Sequence, residues 1–174
     1  MYESKLVEAV LLVGHGGIAK GTPREWVVEM KRLEGDRSRA GDEEPGDRER
    51  DLDAKIRNFP RETDDSDPYR VGLESIATAL RKQLGDTRLA VAFNEFCAPS
   101  LDDALDSLAH DGVTRITVLT TMLTPGGGHS EIEMPEIVAK ANLRHPAVEI
   151  VYAWPYDLDG IAKLLCDQWQ RFSK

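Results

Sequence analysis

Short apolar runs separated by longer amphipathic segments form the main pattern of this chain. Four runs are rich in β-branched residues and stop at glycine, polar or aromatic residues; they lie at residues 7–13, 88–93, 116–123 and 148–152. Strands that are buried on both faces and alternate with helices form parallel sheets with right-handed crossovers. The pattern therefore predicts an α/β fold, with an open parallel sheet of about four strands and helices on both faces.

Helical spacing of apolar residues predicts helices between and after these runs. We expect one helix to begin with Thr22 as N-cap and Pro23 in its first turn, and another to begin after Ser100. The last helix is expected to bury one apolar face. The residues of that face are Leu158, Ile161, Ala162, Leu165, Trp169 and Phe172.

A charged segment interrupts the pattern at residues 34–50, where Ala40 is almost the only apolar residue. Such a composition buries too little apolar surface to offset its ordering entropy, so we expect a solvated loop or partial disorder. A short helix is expected at residues 51–58. We interpret residues 1–174 as one domain with a charged insert at about 20–67.

Composition and charge narrow the function classes. Hydrophobic residues at 41% fit a globular protein, and no apolar run approaches the roughly 18–20 residues of a membrane span. A formal net charge of −9 argues against nucleic acid as a partner, because nucleic-acid binding needs a basic surface. The start of the chain shows no secretory signal, and Cys97 and Cys166 are too few for a disulfide framework. We therefore expect a cytoplasmic protein without a membrane partner.

The loops after the predicted strands carry the side chains that are best suited to chemistry. His15 lies in a glycine-rich loop after the first strand, and His129 follows three glycines after the third. In an open α/β sheet, ligands bind at the carboxyl ends of the strands. Because neighbouring strands lie roughly 4.8 Å apart, the two imidazoles can share one metal ion or one flat ligand.

Three acidic residues are candidates for a third place in this site. Glu95 directly follows the second strand and is a metal ligand, a proton acceptor or a partner for ligand N–H groups, unless it caps the next turn. After the second histidine, a capping-box pattern predicts a helix from Ser130, whereas Pro135 favours a later start. We prefer the start at Pro135. Glu131 and Glu133 then remain in a loop, as site residues or as partners of the helix dipole.

Other residues near these loops have structural explanations. Cys97 is a soft metal ligand by chemistry, but small buried cysteines are common beside helix starts, and we favour the structural interpretation. His110 and His145 are also interpreted as structural. The glycines at 126–128 would suit a phosphate, yet their spacing matches neither the P-loop nor the dinucleotide-binding pattern.

Three ordered stretches of the sequence carry a family resemblance. They are Leu-Val-Gly-His-Gly at 12–16, Ala-Phe-Asn-Glu-Phe-Cys-Ala-Pro-Ser-Leu at 92–101 and Leu-Thr-Pro-Gly-Gly-Gly-His at 123–129, followed by Glu133-Met134-Pro135. Together they resemble the CbiX-like sirohydrochlorin chelatases, within the class II tetrapyrrole chelatases. The resemblance covers residues 7–17 and about 70–172, and the segment from about 20 to 67 departs from it.

The resemblance implies a chelatase-like fold with flavodoxin-like layering and a lyase-class activity. The implied reaction is insertion of Co²⁺, Fe²⁺ or Ni²⁺ into sirohydrochlorin, for cobalamin or siroheme biosynthesis, with the metal as a substrate and without an organic cofactor. The resemblance assigns metal binding to His15 and His129, and it makes them catalytic together with Glu95. It assigns substrate contact to Glu95 and to the loop residues Thr124, Pro125, Gly126, Gly127 and Gly128.

Charge and size bear on how the substrate would be held. Sirohydrochlorin carries many carboxylates, so we expect basic residues in or beside the insert to offset them and the insert to help cover the substrate. These residues are Lys20, Arg24, Arg57, Arg61 and Arg70. Small members of the family have one lobe and two lobes make the full cleft, which implies a homodimer unless the insert replaces part of the missing lobe.

Two other functions stay open from the sequence. A non-catalytic metal carrier would use the same histidines but keep its ion against competitors. A binder of phosphate esters would use the glycine loop and ignore Co²⁺. Two imidazoles follow the general metal-affinity order, so the sequence does not select among iron, cobalt and nickel.

Overall fold

Four strands and six α-helices make up the computed structural model, which describes residues 6–41 and 44–173. The strands are β1 (Glu8–Gly14), β2 (Arg88–Phe93), β3 (Arg115–Thr120) and β4 (Glu149–Tyr152). The helices are α1 (Arg24–Ala40), α2 (Asp47–Arg57), α3 (Pro68–Leu84), α4 (Leu101–His110), α5 (Met134–Arg144) and α6 (Leu158–Phe172). A 3₁₀ turn spans Asp64–Ser66, and a π-helical turn spans His129–Glu133. In the described part of the chain, no helix is both long and apolar enough to cross a membrane.

The strands form one parallel sheet in the order β2-β1-β3-β4, with β1 and β3 at its centre. Val13 of β1 lies opposite Ala92 of β2 and Thr120 of β3, so these three strands end at the same edge. Helices α4 and α5 contribute to the apolar core on one face of the sheet, and α3 contributes to the core on the other. The predicted α/β fold, with helices on both faces, is confirmed.

The prediction of a loop at residues 34–50 is wrong. Helices α1 and α2 both extend into this segment, of which residues 42 and 43 lie outside the described part of the chain. The helix expected at 51–58 is therefore the second part of the longer α2.

Matched charges explain why so polar a segment is helical. Arg37 of α1 donates from Nε to both carboxylate oxygens of Glu49 in α2, at 3.0 and 3.2 Å. In addition, Leu52 and Ile56 of α2 pack with Met30 of α1 in a small buried cluster. Arg37 and Glu49 lie on different helices, and the apolar partners lie outside residues 34–50, so the composition of the segment alone does not reveal these contacts.

Helix α6 carries its apolar stripe on the surface, so the prediction that these residues are buried is wrong. Leu158, Leu165, Trp169 and Phe172 are 64%, 64%, 66% and 79% exposed, Ala162 is exposed, and Ile161 is half-buried. Helices α3, α4 and α5 already pack on the two faces of the sheet. An amphipathic pattern shows that a helix has a face for packing, but it does not identify the surface against which that face packs.

The predicted helix caps have different outcomes. Ser100 Oγ accepts the backbone N–H of Asp103 at 3.1 Å and caps α4, as predicted. Thr22 does not cap α1, because its hydroxyl donates to the carbonyl of Ala19 at 2.7 Å and Pro23 occupies the N-cap position. The Thr22 hydroxyl is therefore engaged in a local turn with Ala19 and does not cap the helix.

A buried ion pair within the inserted segment contacts the core at Cys97. Arg61 Nε lies 2.7 Å from Asp67 Oδ2, and the thiol of Cys97 donates to the same oxygen at 3.1 Å. Burial alone would raise the pKa of Asp67, but the Arg61 guanidinium and the other hydrogen-bond donors hold this pKa below its usual value. An ionised Asp67 therefore stabilises the folded state.

We predict that Asp67→Asn lowers the free energy of unfolding by about 3–5 kcal/mol at neutral pH, because it leaves the Arg61 charge buried without its partner. The folded-state pKa of Asp67 is depressed, so its contribution is complete above the unfolded-state value of about 3.9 and is lost as the pH falls through the folded-state value. Urea denaturation of both proteins across this pH range measures the difference. A stability difference that does not shrink in acid would contradict the assignment.

Candidate active site

Three side chains that follow three different strands meet at the carboxyl edge of the sheet. His15 follows β1, Glu95 follows β2 and His129 follows β3, and one donor atom from each lies within 4.8 Å of the others. Glu95 Oε2 lies 3.8 Å from His15 Nε2, and Glu95 Oε1 lies 4.0 Å from His129 Nε2. The two imidazole centroids are 5.0 Å apart. The two histidines therefore share one place, as the strand pattern predicted; we refer to these three residues as the His15–Glu95–His129 cluster.

Backbone contacts between two loops hold His15 beside Glu95. The carbonyl of Gly14 accepts the N–H of Asn94 at 2.9 Å, and the carbonyl of His15 accepts the N–H of Glu95 at 2.7 Å. Gly16 has a φ of +99°, and a Cβ atom at this position would lie 1.8 Å from the carbonyl oxygen of Glu95. Glycine is therefore required at this position, for the backbone conformation and for the close approach.

The hydrogen bonds of His15 leave one ring nitrogen for a ligand. His15 Nδ1 lies 2.9 Å from the carbonyl oxygen of Gly16, which can only accept, so Nδ1 carries the proton in the neutral ring. The Nε2 atom, which lies 3.8 Å from Glu95 Oε2, then carries the lone pair that can bind a metal ion. The backbone N–H of His15 donates to the hydroxyl of Tyr69 at 2.8 Å, which ties the loop to α3.

His129 is oriented by a second carboxylate. Its Nδ1 lies 2.8 Å from Glu133 Oε2, and Asn94 Nδ2 donates to the same oxygen at 3.1 Å. Burial would raise the pKa of Glu133, but the hydrogen bonds from His129 and Asn94 outweigh it and hold this pKa below its usual value. An ionised Glu133 keeps the proton on Nδ1 and leaves the Nε2 lone pair for a metal, which is how outer carboxylates commonly orient histidine ligands.

The turn after His129 differs from the loop that was expected there. Residues His129–Glu133 form a π-helical turn, and α5 begins at Met134, one residue before the predicted start. Pro135 lies in the first turn of α5, directly after the π-helical turn. The π-helical turn places Glu133 beside His129. The sequence pattern alone did not distinguish this turn from a loop, so it did not predict the contact.

The glycine loop lies between β3 and this turn and is mostly on the surface. The exposed residues are Thr124, Pro125, Gly126 and Gly128, and Gly127 is half-buried. Glu131 Oε1 accepts the backbone N–H of Gly126 at 2.8 Å. Glu131 therefore shapes the glycine loop and lies outside the metal-ligating cluster of the described residues.

Cys97, His110 and His145 have structural partners. Cys97 is buried beside Asp67, and burial raises the pKa of its thiol. His145 Nε2 lies 2.6 Å from a carboxylate oxygen of Asp106, and His110 Nδ1 lies 2.6 Å from the carbonyl oxygen of the same residue. These contacts agree with the structural interpretation of all three.

Arg57 and Arg61 hold the backbone of the loop that carries the cluster's carboxylate. Arg57 donates to the carbonyl oxygens of Asn94 and Cys97 at 2.7 and 3.0 Å, and Arg61 donates to that of Phe96 at 2.7 Å. Their side chains are only 14% and 8% exposed. The expectation that these two arginines offset substrate carboxylates is therefore wrong, because backbone carbonyls and aspartates already use their donors. The remaining basic candidates, Lys20, Arg24 and Arg70, are exposed.

Lys31 of α1 is a neighbour of the cluster that its sequence context did not reveal. Its Nζ lies 3.5 Å from Glu95 Oε2, 3.0 Å from Glu34 Oε2 and 5.0 Å from the centroid of the Phe96 ring. A signal was present, since Lys31 and Glu34 are neighbours on a helix surface at this spacing. The loop predicted from residue 34 onward concealed it.

The donor set suits a divalent ion of the first transition row. Two imidazole nitrogens and one carboxylate oxygen are ligands that such ions accept, and three protein ligands leave coordination positions open for a second molecule. The side chains of His15, Glu95 and His129 are 38%, 21% and 31% exposed, so an ion there is within reach from solvent. The same groups can also accept protons.

Comparison with known proteins identifies the family. The CbiX family model matches residues 65–170 of this chain. This chain belongs to the CbiX family. The match includes Glu95 and His129 but begins after His15 and after most of the inserted segment, so the place of His15 in the site rests on the geometry described above.

Two relatives of this CbiX family member come from Priestia megaterium. Its sirohydrochlorin ferrochelatase is 29% identical over 69 residues, which cover 40% of this chain and 26% of that protein. Its sirohydrochlorin cobaltochelatase is 29% identical over 89 residues, which cover 51% of this chain and 29% of that protein. The chain thus matches less than a third of the length of either relative.

A solved structure has the same fold as this CbiX family member. A CbiX protein from Marinobacter aquaeolei VT8 matches with a TM-score of 0.52 and 15% sequence identity, over 94% of this chain and 98% of that chain. At this identity the likeness shows the fold alone.

We predict that Glu133→Gln weakens Co²⁺ binding by about 10–100-fold, because a neutral amide no longer fixes the ring orientation and tautomer of His129. Glu131→Gln makes the same change of charge in the same π-helical turn and is the control, since Glu131 bonds to the backbone of Gly126. Isothermal titration with Co²⁺ measures both affinities. Equal losses in the two variants would show that net charge, and not orientation of His129, is responsible.

Proposed function

We propose that this chain inserts a divalent metal ion into sirohydrochlorin, as a lyase-class chelatase. The observation that carries the proposal is the His15–Glu95–His129 cluster, which offers three donors and leaves coordination positions open. The names of the related ferrochelatase and cobaltochelatase support a tetrapyrrole as the second substrate. Under this proposal Co²⁺, Fe²⁺ or Ni²⁺ is a substrate, the reaction takes place in the cytoplasm, and the product serves cobalamin or siroheme biosynthesis.

The chemistry of insertion determines what the cluster must do. Two pyrrole N–H protons leave as the ion enters the ring, so proton acceptors must lie beside the ion. Glu95 lies between the two imidazoles, and we assign it one ring proton; an imidazole that releases the ion accepts the other. The imidazoles hold the ion until the ring takes it. A closed site with four protein ligands would hold the ion too tightly for transfer, whereas this site is open.

We assign substrate contact to Glu95 and to the loop after β3. The three glycines of this loop have no side chains to obstruct a flat ring, and the loop is mostly exposed. Its residues are Thr124, Pro125, Gly126, Gly127 and Gly128.

His129→Ala is expected to abolish metal insertion while the fold stays intact, because a side chain that is 31% exposed contributes little to the core.

Glu95→Gln is expected to lower turnover by about 10²–10⁴-fold, the usual contribution of a general base, while the imidazoles still bind Co²⁺ at reduced affinity. Anaerobic incubation with sirohydrochlorin and each of the three ions, followed by absorption spectroscopy, measures insertion and identifies the preferred metal.

Two outcomes of this assay would count against the proposal. Full insertion activity of His129→Ala would defeat the chelatase function, and wild-type turnover of Glu95→Gln would remove Glu95 from the mechanism. A protein that binds Co²⁺ but leaves the sirohydrochlorin spectrum unchanged would instead be a non-catalytic metal carrier.

We also propose that two copies of the chain pair through α6. The exposed stripe of this helix includes Leu158, Leu165 and Trp169, and a two-fold axis would bring the same apolar face of a second copy against it. The chelatase relatives are several times longer than the segments that match this chain, so they have room for more than one lobe. A second copy is the occupant that would supply a second lobe here.

Trp169→Glu is therefore expected to convert a dimer into a folded monomer, because it places a charge within the apolar stripe. Gln170→Glu adds the same charge at the next position, outside the stripe, and is expected to remain dimeric. Sedimentation velocity measures the masses. A monomeric wild-type protein, or a Trp169→Glu variant that stays dimeric, would contradict pairing through α6.

A further inference from the structure

Lys31 brings a positive charge from the inserted segment into contact with the cluster. Its ammonium lies 3.5 Å from Glu95 Oε2, and this same oxygen lies 3.8 Å from His15 Nε2. A transition-metal ion bound to a carboxylate oxygen lies at about 2.0–2.2 Å from it. An ion held by Glu95 and the imidazoles would therefore share one carboxylate with the ammonium, and the two cations would repel each other.

A second carboxylate already contacts the ammonium. Lys31 Nζ lies 3.0 Å from Glu34 Oε2, one turn along the same helix. The Lys31 side chain is 49% exposed, so it can withdraw from Glu95 while it keeps its contact with Glu34. Lysine suits such a movement because its ammonium is a compact charge on a flexible stem.

Glu95, in contrast, is held in place. The backbone N–H of Glu95 donates to the carbonyl of His15, and Arg57 and Arg61 hold the carbonyl oxygens of the residues around it. When an ion arrives, the lysine is therefore the group that moves.

We propose that Lys31 is an internal competitor for the metal ion. It contacts Glu95 as well as Glu34 while the site is without an ion, gives up Glu95 but keeps Glu34 when a divalent ion binds, and contacts Glu95 again as the ion leaves for the ring. This inference deepens the proposed metal insertion, because it explains how an anionic ligand can attract an ion and still release it. Lys31 acts through Glu95 and is thus a positioning residue.

The direction of the change in affinity separates this role from a merely structural one. If Lys31 only tied α1 to the Phe96 loop, its removal would loosen the site and weaken metal binding. If Lys31 competes with the ion, its removal strengthens binding. Lys31→Gln is therefore expected to bind Co²⁺ about tenfold more tightly than the wild-type protein at moderate ionic strength.

Two further variants control for charge and shape. Arg32→Gln removes the same charge from the next position of α1, where Arg32 pairs with Asp36 at 3.2 Å, and it is expected to leave the affinity unchanged. Lys31→Arg keeps the charge and is expected to restore weak binding. Isothermal titration with Co²⁺ alone, without a tetrapyrrole, measures all three. Unchanged or weaker binding by Lys31→Gln, or equally tight binding by Arg32→Gln, would overturn the proposal.

A double-mutant cycle tests whether Glu34 holds the Lys31 ammonium when the ion binds to Glu95. Glu34→Gln is expected to weaken Co²⁺ binding in the wild-type background, because Lys31 then has Glu95 as its remaining carboxylate partner. In the Lys31→Gln background the same change is expected to have little effect. Additive effects of the two substitutions would show that Lys31 and Glu34 contribute independently. They would overturn the proposal that Lys31 leaves Glu95 and stays with Glu34.

These measurements are independent of the proposed function. Wild-type protein that fails to metallate sirohydrochlorin, while Lys31→Gln still binds Co²⁺ more tightly, would defeat metal insertion and leave the competition intact. Normal metallation by the wild-type protein, with unchanged Co²⁺ affinity in Lys31→Gln, would defeat the competition alone.

Discussion

The contact between the His15 loop and the Glu95 loop is the constraint on which the candidate site depends. β1 lies between β2 and β3, so a residue that leaves its carboxyl end has a neighbouring loop on either side. The close approach at Gly16, where any side chain would meet the carbonyl oxygen of Glu95, fixes the first histidine against the carboxylate. The π-helical turn that follows β3 adds His129. The three side chains converge because their strands are neighbours, although they are far apart in the sequence.

The sheet and the meeting of the two histidines were predictable because both follow from local features. Apolar runs that stop at glycine predict buried strands, and the carboxyl ends of parallel strands lie at one edge of the sheet. The roles of the acidic candidates were not predictable in this way. Glu95 lies in the cluster, Glu133 orients His129, and Glu131 bonds to Gly126. This division depends on the π-helical turn, which the conflict between the capping pattern and Pro135 did not resolve.

The errors concern interactions between distant parts of the chain. The segment 34–50 is helical because Arg37 forms an ion pair with Glu49 and because the apolar residues that flank the segment pack together. The composition of the segment shows neither contact. The same error hid Lys31, since a loop from residue 34 would separate it from Glu34. The arginines of the insert were expected to face the substrate, and they hold backbone carbonyl oxygens near Glu95 instead. The part of the chain outside the family match thus supports the residues inside it.

The central claim is that both histidines and Glu95 hold one ion, and X-ray absorption at the cobalt edge of the Co²⁺-loaded protein tests it most directly. We predict two imidazole nitrogens at about 2.0–2.1 Å together with oxygen ligands, by analogy with zinc sites. His15→Ala and His129→Ala are each predicted to remove one imidazole contribution. A spectrum with oxygen ligands alone, or one that is unchanged in either variant, would contradict a shared metal site.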